Sequence, residues 1–72
     1  MKYLIVIEET SAGYSAYVPD LPGCISVGST RGEIEDKIQE AILLHLEGMK
    51  EDGVIIPEPK SEGISMVIPH VA

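Results

Sequence analysis

Four kinds of side chain in this sequence could do chemistry: one cysteine, Cys24, two histidines, His45 and His70, three tyrosines, and twelve carboxylates set against five bases. A cysteine acts as a nucleophile only when a base or cation lowers its pKa. Neither histidine lies near Cys24 in sequence, so Cys24 reads as a small semi-buried residue at the start of a strand. His45 falls on the apolar stripe of a helix, where a lone histidine is usually a packed, hydrogen-bonded residue. His70 follows Pro69 close to Ala72 and is assigned no role. A metal-dependent hydrolase needs acids converging on one point. Here Glu8, Glu9 and Asp20 sit at strand ends or in turns, and Glu47, Glu51 and Asp52 on or after the helix. No zinc spacing, glycine-rich phosphate loop or Ser/His/Asp ordering occurs. The residues therefore point to no catalytic, cofactor-binding or metal-binding set, and to a protein that is not an enzyme.

The elements that must position these groups follow from the pattern. Met1–Glu8 is short and rich in β-branched residues, with both faces apolar, which predicts an interior strand. A turn at Glu9–Gly13 leads to a second strand at Tyr14–Val18, in which Tyr14, Ala16 and Val18 alternate with Ser15 and Tyr17. Pro19 ends that strand, and Asp20-Leu21-Pro22-Gly23 makes a tight turn into a third strand at Cys24–Val27. Thr30-Arg31-Gly32-Glu33 has the spacing of a capping box and predicts a helix over Arg31–Glu51 that stops at Gly53. Ile34, Ile38, Ala41, Ile42, His45 and Met49 share one helix face, whereas Leu43, Leu44 and Leu46 fit that stripe poorly. Val54–Pro59 predicts an extended linker and Ile64–Ile68 a last strand closed by Pro69. The expected fold is α+β, in the order β-β-β-α-β. One helix packs on one face of a small mixed sheet of order 3-2-1-4, the last strand joining by a right-handed crossover. That layout leaves Leu4 and Val6 on a sheet face with nothing over it.

At 72 residues the chain is expected to be a single domain, 1–72. A chain of this size buries only about 60% of its unfolded surface. A core built without Phe or Trp makes self-association through Leu43 and Leu44, or through the uncovered sheet face, the expected route to more buried area. The net charge of −7 argues against direct contact with nucleic acid or an anionic membrane and suits a basic protein partner. The apolar run Tyr3–Ile7 is too short for a secretory core and no run reaches the ~20 residues that span a bilayer, so a cytoplasmic location is expected.

The run Tyr14–Cys24, then Gly28 and Thr30, resembles the HicB antitoxin family, with its P-D-L-P-G turn followed by G-x-T and a helix. The likeness continues through Glu33, Glu40-Ala41-Ile42, His45-Leu46-Glu47-Gly48 and Pro57-Glu58-Pro59, about residues 1–60. Gly32 and Ile34 depart from it, where the family more often has glutamate and alanine. The resemblance implies a partial ribonuclease-H-like fold and a non-catalytic protein that neutralises a small basic RNA-cleaving toxin, HicA, by complex formation. It also implies a homo-oligomer, a dimer or tetramer. Ending at Ala72, the chain is expected to carry no C-terminal DNA-binding domain of the kind many members have. The alternatives are an orphan HicB-like oligomer without a toxin and a degenerate ribonuclease-H-like hydrolase. Asp20, Leu21 and Pro22 are the expected partner contacts, because Pro19 and Pro22 stiffen the turn and an exposed leucine beside a carboxylate suits a basic groove. In the competing reading, Leu21 folds back and caps the core.

Overall fold

The computed structural model describes residues 1–70. Strands β1 (Val6–Thr10), β2 (Gly13–Tyr17) and β3 (Ile25–Gly28) form an antiparallel meander, followed by helix α1 (Arg31–Glu51). The register pairs Val6 with Tyr17 and Tyr17 with Ile25, and one residue along pairs Ile7 with Ala16 and Ala16 with Ser26. Neighbouring positions on a strand face opposite sides. The Ile7–Ala16–Ser26 row therefore faces α1, and the Val6–Tyr17–Ile25 row faces away from it. The core lies between sheet and helix: Ala16, Val18, Leu21, Cys24, Ile34 and Ile38 are buried, and Tyr3, Ile5, Ile7, Tyr14, Ala41, Ile42, Leu46 and Met49 pack around them. Leu46 thus belongs to the core-facing side of the helix, although the 100° stripe left it out.

Both helix ends are closed by side chain or backbone. The Glu33 N–H donates to Thr30 Oγ1 at 3.1 Å, and the Ser29 N–H donates to the Glu33 carboxylate at 3.3 Å. This is the reciprocal arrangement of a capping box, with the return bond shifted one residue toward the sheet. One donor that the N-terminus leaves orphaned, the Glu33 N–H, is satisfied, and so is the Ser29 N–H just before the cap. At the other end Gly53 takes φ +69°, its N–H donates to the Lys50 carbonyl, and the Val54 N–H donates to the Met49 carbonyl. The two bonds together make a Schellman stop.

The connector between β2 and β3 is two consecutive turns. The Leu21 N–H donates to the Val18 carbonyl and the Cys24 N–H to the Leu21 carbonyl, both at 3.0 Å, while the Val18 N–H closes the loop on the Cys24 carbonyl. Pro22 and Gly23 stand at the centre of the second turn, and Gly23 has φ +84°. That geometry is a type II turn, in which proline supplies the first central angle and glycine the second. A period of three follows, so Val18, Leu21 and Cys24 all point inward and are buried. Asp20, between them, accepts from the Lys60 N–H at 2.9 Å, the Ser61 N–H at 2.8 Å and the Ser61 hydroxyl at 2.7 Å. Beside it the Tyr3 hydroxyl donates to the Pro57 carbonyl. These contacts tie the segment after α1 to the sheet end.

Two expectations about the sheet need correction. The paired part of the first strand begins at Val6, not Met1. Opposite Ile5 and Leu4 stand Val18, whose N–H is spent on the Cys24 carbonyl, and Pro19, which has no N–H to give. The fourth strand expected at Ile64–Ile68 takes no place in the sheet of the single chain. The α+β class and the 3-2-1 part of the expected order hold, as β1-β2-β3, and β1 is an edge. The segment instead runs outward, with Ile64, Met66, Val67 and Ile68 all exposed. The radius of gyration shows the same departure, at 14.6 Å against the roughly 11 Å of a compact chain of this length.

Leu21→Ala is expected to destabilise the fold by about 2–5 kcal/mol, since it empties a fully enclosed site, while Pro22→Ala costs about 1 kcal/mol or less. Urea titration of both variants checks this. The three hydrogen bonds to Asp20, those from the Lys60 and Ser61 backbone first, hold its carboxyl below the ordinary value of 3.8. A carboxyl depressed in the folded state lends stability that is fully present above its unfolded pKa and disappears as pH falls through the folded one. The urea midpoint of the wild type is therefore expected to fall more steeply below about pH 4 than that of Asp20→Asn. The gap between the two is widest near neutrality and narrows in acid. Parallel curves would remove Asp20 from the acid response.

Candidate protein-docking surfaces

Of the three residues expected to meet a partner, the structure leaves only Pro22 at the surface. Leu21 is fully buried and Asp20 nearly so. Leu21 caps the core, and the Asp20 carboxylate already accepts three hydrogen bonds. A turn this tight has no room for Leu21 to lie along its outside once Val18, Leu21 and Cys24 share its inner side. Leu43 and Leu44 are where the helical pattern placed them, more than half exposed. Leu43 also borders a groove between the start of β1 and the helix, whose walls include Tyr3, Ile5, Ile7, Ile38, Ile42 and Leu46.

The broader apolar surface is the sheet face away from α1. Val6, Tyr17 and Ile25 form one row across all three strands, and Val27 lies opposite Ser15 in the next row. Tyr17 is 41% exposed, Ile25 66% and Val27 64%. The contributions of Leu4 and Val6 were legible from the alternation of the first strand, but those of Tyr17, Ile25 and Val27 were missed. The signal was present: Cys24 and Ser26 alternate with Ile25 and Val27, so two apolar residues had to face away from the helix. Contiguous exposed apolar rows of this kind mark association surfaces.

The groups with chemical potential sit in unreactive settings. Cys24 is buried, and burial pushes its thiol above the ordinary value, away from the nucleophilic thiolate. The Tyr3 phenol is raised, by burial first and by the Glu58 and Asp20 carboxylates second. His45 is half-buried on the helix. Among the described residues no three His, Cys, Asp or Glu side chains come together where a metal ion could be held. Among them, too, no helix is long and apolar enough to cross a membrane.

A family model described as "HicB_like antitoxin of bacterial toxin-antitoxin system" matches residues 3–70. An uncharacterised 14.9 kDa protein from the rep-hol intergenic region of Haemophilus phage HP1 is 47% identical over 58 residues; the match covers 81% of this chain but 44% of that protein. The chain thus spans less than half of that relative's length. A UPF0150 protein of Thermoplasma acidophilum is 37% identical over 67 residues, covering 92% of this chain and 97% of the relative. Among solved structures, a chain of the "HicA3 and HicB3 toxin-antitoxin complex" superposes with a TM-score of 0.72 at 35% identity, over 82% of this chain and 70% of that one. The match to the family model runs through the connector, the capped helix and the linker held by Asp20, and on that extent the chain belongs to the HicB-like antitoxin family.

Proposed function

We propose that this protein is a non-catalytic antitoxin that neutralises a small basic HicA-like ribonuclease in the cytoplasm by forming a complex with it. The observation that carries the reading is an apolar row across the outer sheet face of a chain with net charge −7, in a family of antitoxins. Acidic groups steer a basic partner into encounter, and a desolvated apolar patch supplies affinity. Likeness to a chain of a solved toxin-antitoxin complex supports a toxin as the partner. Cys24, buried and with its thiol pushed above the ordinary value by that burial, supports a binding role over a thiol enzyme. We place the contact on Tyr17, Ile25 and Val27, with Pro22 on the connector between those strands contributing at the rim. Asp20 and Leu21 act from beneath, by fixing the connector's shape. A homo-oligomer, dimer or tetramer, is part of the same proposal, with Leu43 and Leu44 adding contact area to it, and an orphan oligomer without a toxin is the second reading that those exposed leucines favour.

The test is RNA cleavage by a co-expressed HicA-like toxin, followed in the presence of the purified chain. Val27→Asp places a charge on an exposed site and is expected to weaken inhibition at least about tenfold, equivalent to some 1.4 kcal/mol, with an unchanged melting temperature. The rate of complex formation is expected to fall between low and physiological salt as charge attraction is screened. Full cleavage in the presence of excess wild-type chain would overturn the antitoxin reading. Inhibition by Val27→Asp equal to wild type would move the contact off this face.

A further inference from the structure

The segment Ile64–Ile68 has the composition of a strand and none of its partners. It reads ISMVI, it belongs to no helix or sheet of the single chain, and Val67 reaches 94% exposure. Its start is fixed in space: Asp20 grips the backbone of Lys60 and Ser61, and Gly63 lies against the Leu4 side chain. From that point it departs from the body. Meanwhile β1 is an edge strand, the Tyr3–Ile7 stretch that leads into and begins it carries no charge and no proline, and the groove beside it is floored by Ile38, Ile42 and Leu46. A long apolar edge of this kind is a template for another strand.

We propose that Ile64–Ile68 is an exchanged strand, which adds to the free edge of β1 in a second copy of this chain while that copy's segment adds to the first. The reading concerns the chain's own assembly and does not depend on a toxin. The occupant is a second copy because donor and acceptor are both on this chain. Two identical chains satisfy both at once and close a two-fold assembly, whereas a foreign partner satisfies one and leaves the other open. The side chains agree with the placement on both faces. Alternation sets Ile64, Met66 and Ile68 on one side and Ser65 and Val67 on the other. The first set fits over the groove beside Ile5 and Ile7, and the second extends the outer face next to Leu4 and Val6. Pro69 ends the pairing. Glu62 and Gly63, beyond the Asp20 grip, are the hinge.

Sedimentation of the full chain at tens of micromolar, a range in which weak interfaces dissociate, is expected to give about twice the 7.8 kDa of one chain. Met66→Pro removes a ladder donor from an exposed residue, and is expected to yield a monomer with unchanged helical circular dichroism. Connectivity is read separately, in a Cys24→Ser background. One chain carrying Ser65→Cys is mixed with a tagged chain carrying Lys2→Cys, and a short bis-maleimide is added. The expected product is the mixed cross-linked dimer, lost when Met66→Pro is added to the Ser65→Cys chain. A monomeric wild type, a dimer indifferent to Met66→Pro, or no mixed cross-linked product would each overturn the exchange.

Discussion

The fold depends on the double turn between β2 and β3. By repeating every three residues it sends Val18, Leu21 and Cys24 into the end of the sheet–helix layer, where all three are almost fully enclosed. A chain of 72 residues without Phe or Trp has few large apolar side chains to enclose, and three of the six buried apolar residues among those described come from this connector. The same turn aims the Asp20 carboxylate at the segment after the helix. Packing on one side of the loop and hydrogen bonding on the other are thus set by one backbone path, which Pro22 and Gly23 hold in a type II geometry.

Stability and association draw on different surfaces. The side of the sheet facing α1 is closed by Ile34 and Ile38, and its outer side and free edge are left apolar and open. Small domains are marginal because they enclose a small share of their surface. Here the share is reduced further by an apolar segment that contributes nothing to its own core. The chain therefore has a net charge of −7 yet carries three unsatisfied apolar features: a sheet face, an edge with its groove, and the segment Ile64–Ile68.

Most of the architecture was legible in the sequence. The capping box from Thr30 to Glu33 and the stop at Gly53 set the helix to its observed limits, because those signals act through bonds within a few residues. The meander was legible from alternation and turn residues for the same reason. The fate of Ile64–Ile68 was not, because strand propensity says that a segment will extend and not which edge it will meet. Leu21 divided evenly between an outward and an inward placement from composition alone. What decided it was the threefold repeat of the connector's hydrogen bonds, which appears only once Val18 and Cys24 are known to be joined. Leu46 was misjudged because an ideal 100° stripe is narrower than the face a helix presents to a twisted sheet.

The Asp20 grip also separates two properties that usually travel together, the length of a connection and the position of what it connects. Asp20 and Ser61 are 41 residues apart, and the chain between them includes β3, α1 and the extended linker. The entropy of closing a loop grows only with the logarithm of its length, about 0.6 kcal/mol for each doubling. Residues added to or removed from the exposed stretch around Val54 and Ile55 would change that term very little. The point from which Ile64–Ile68 sets out would stay where one carboxylate holds it. Evolution can therefore lengthen, shorten or recolour the linker while keeping the launching geometry of the tail, and can redirect the tail by altering a single acidic residue.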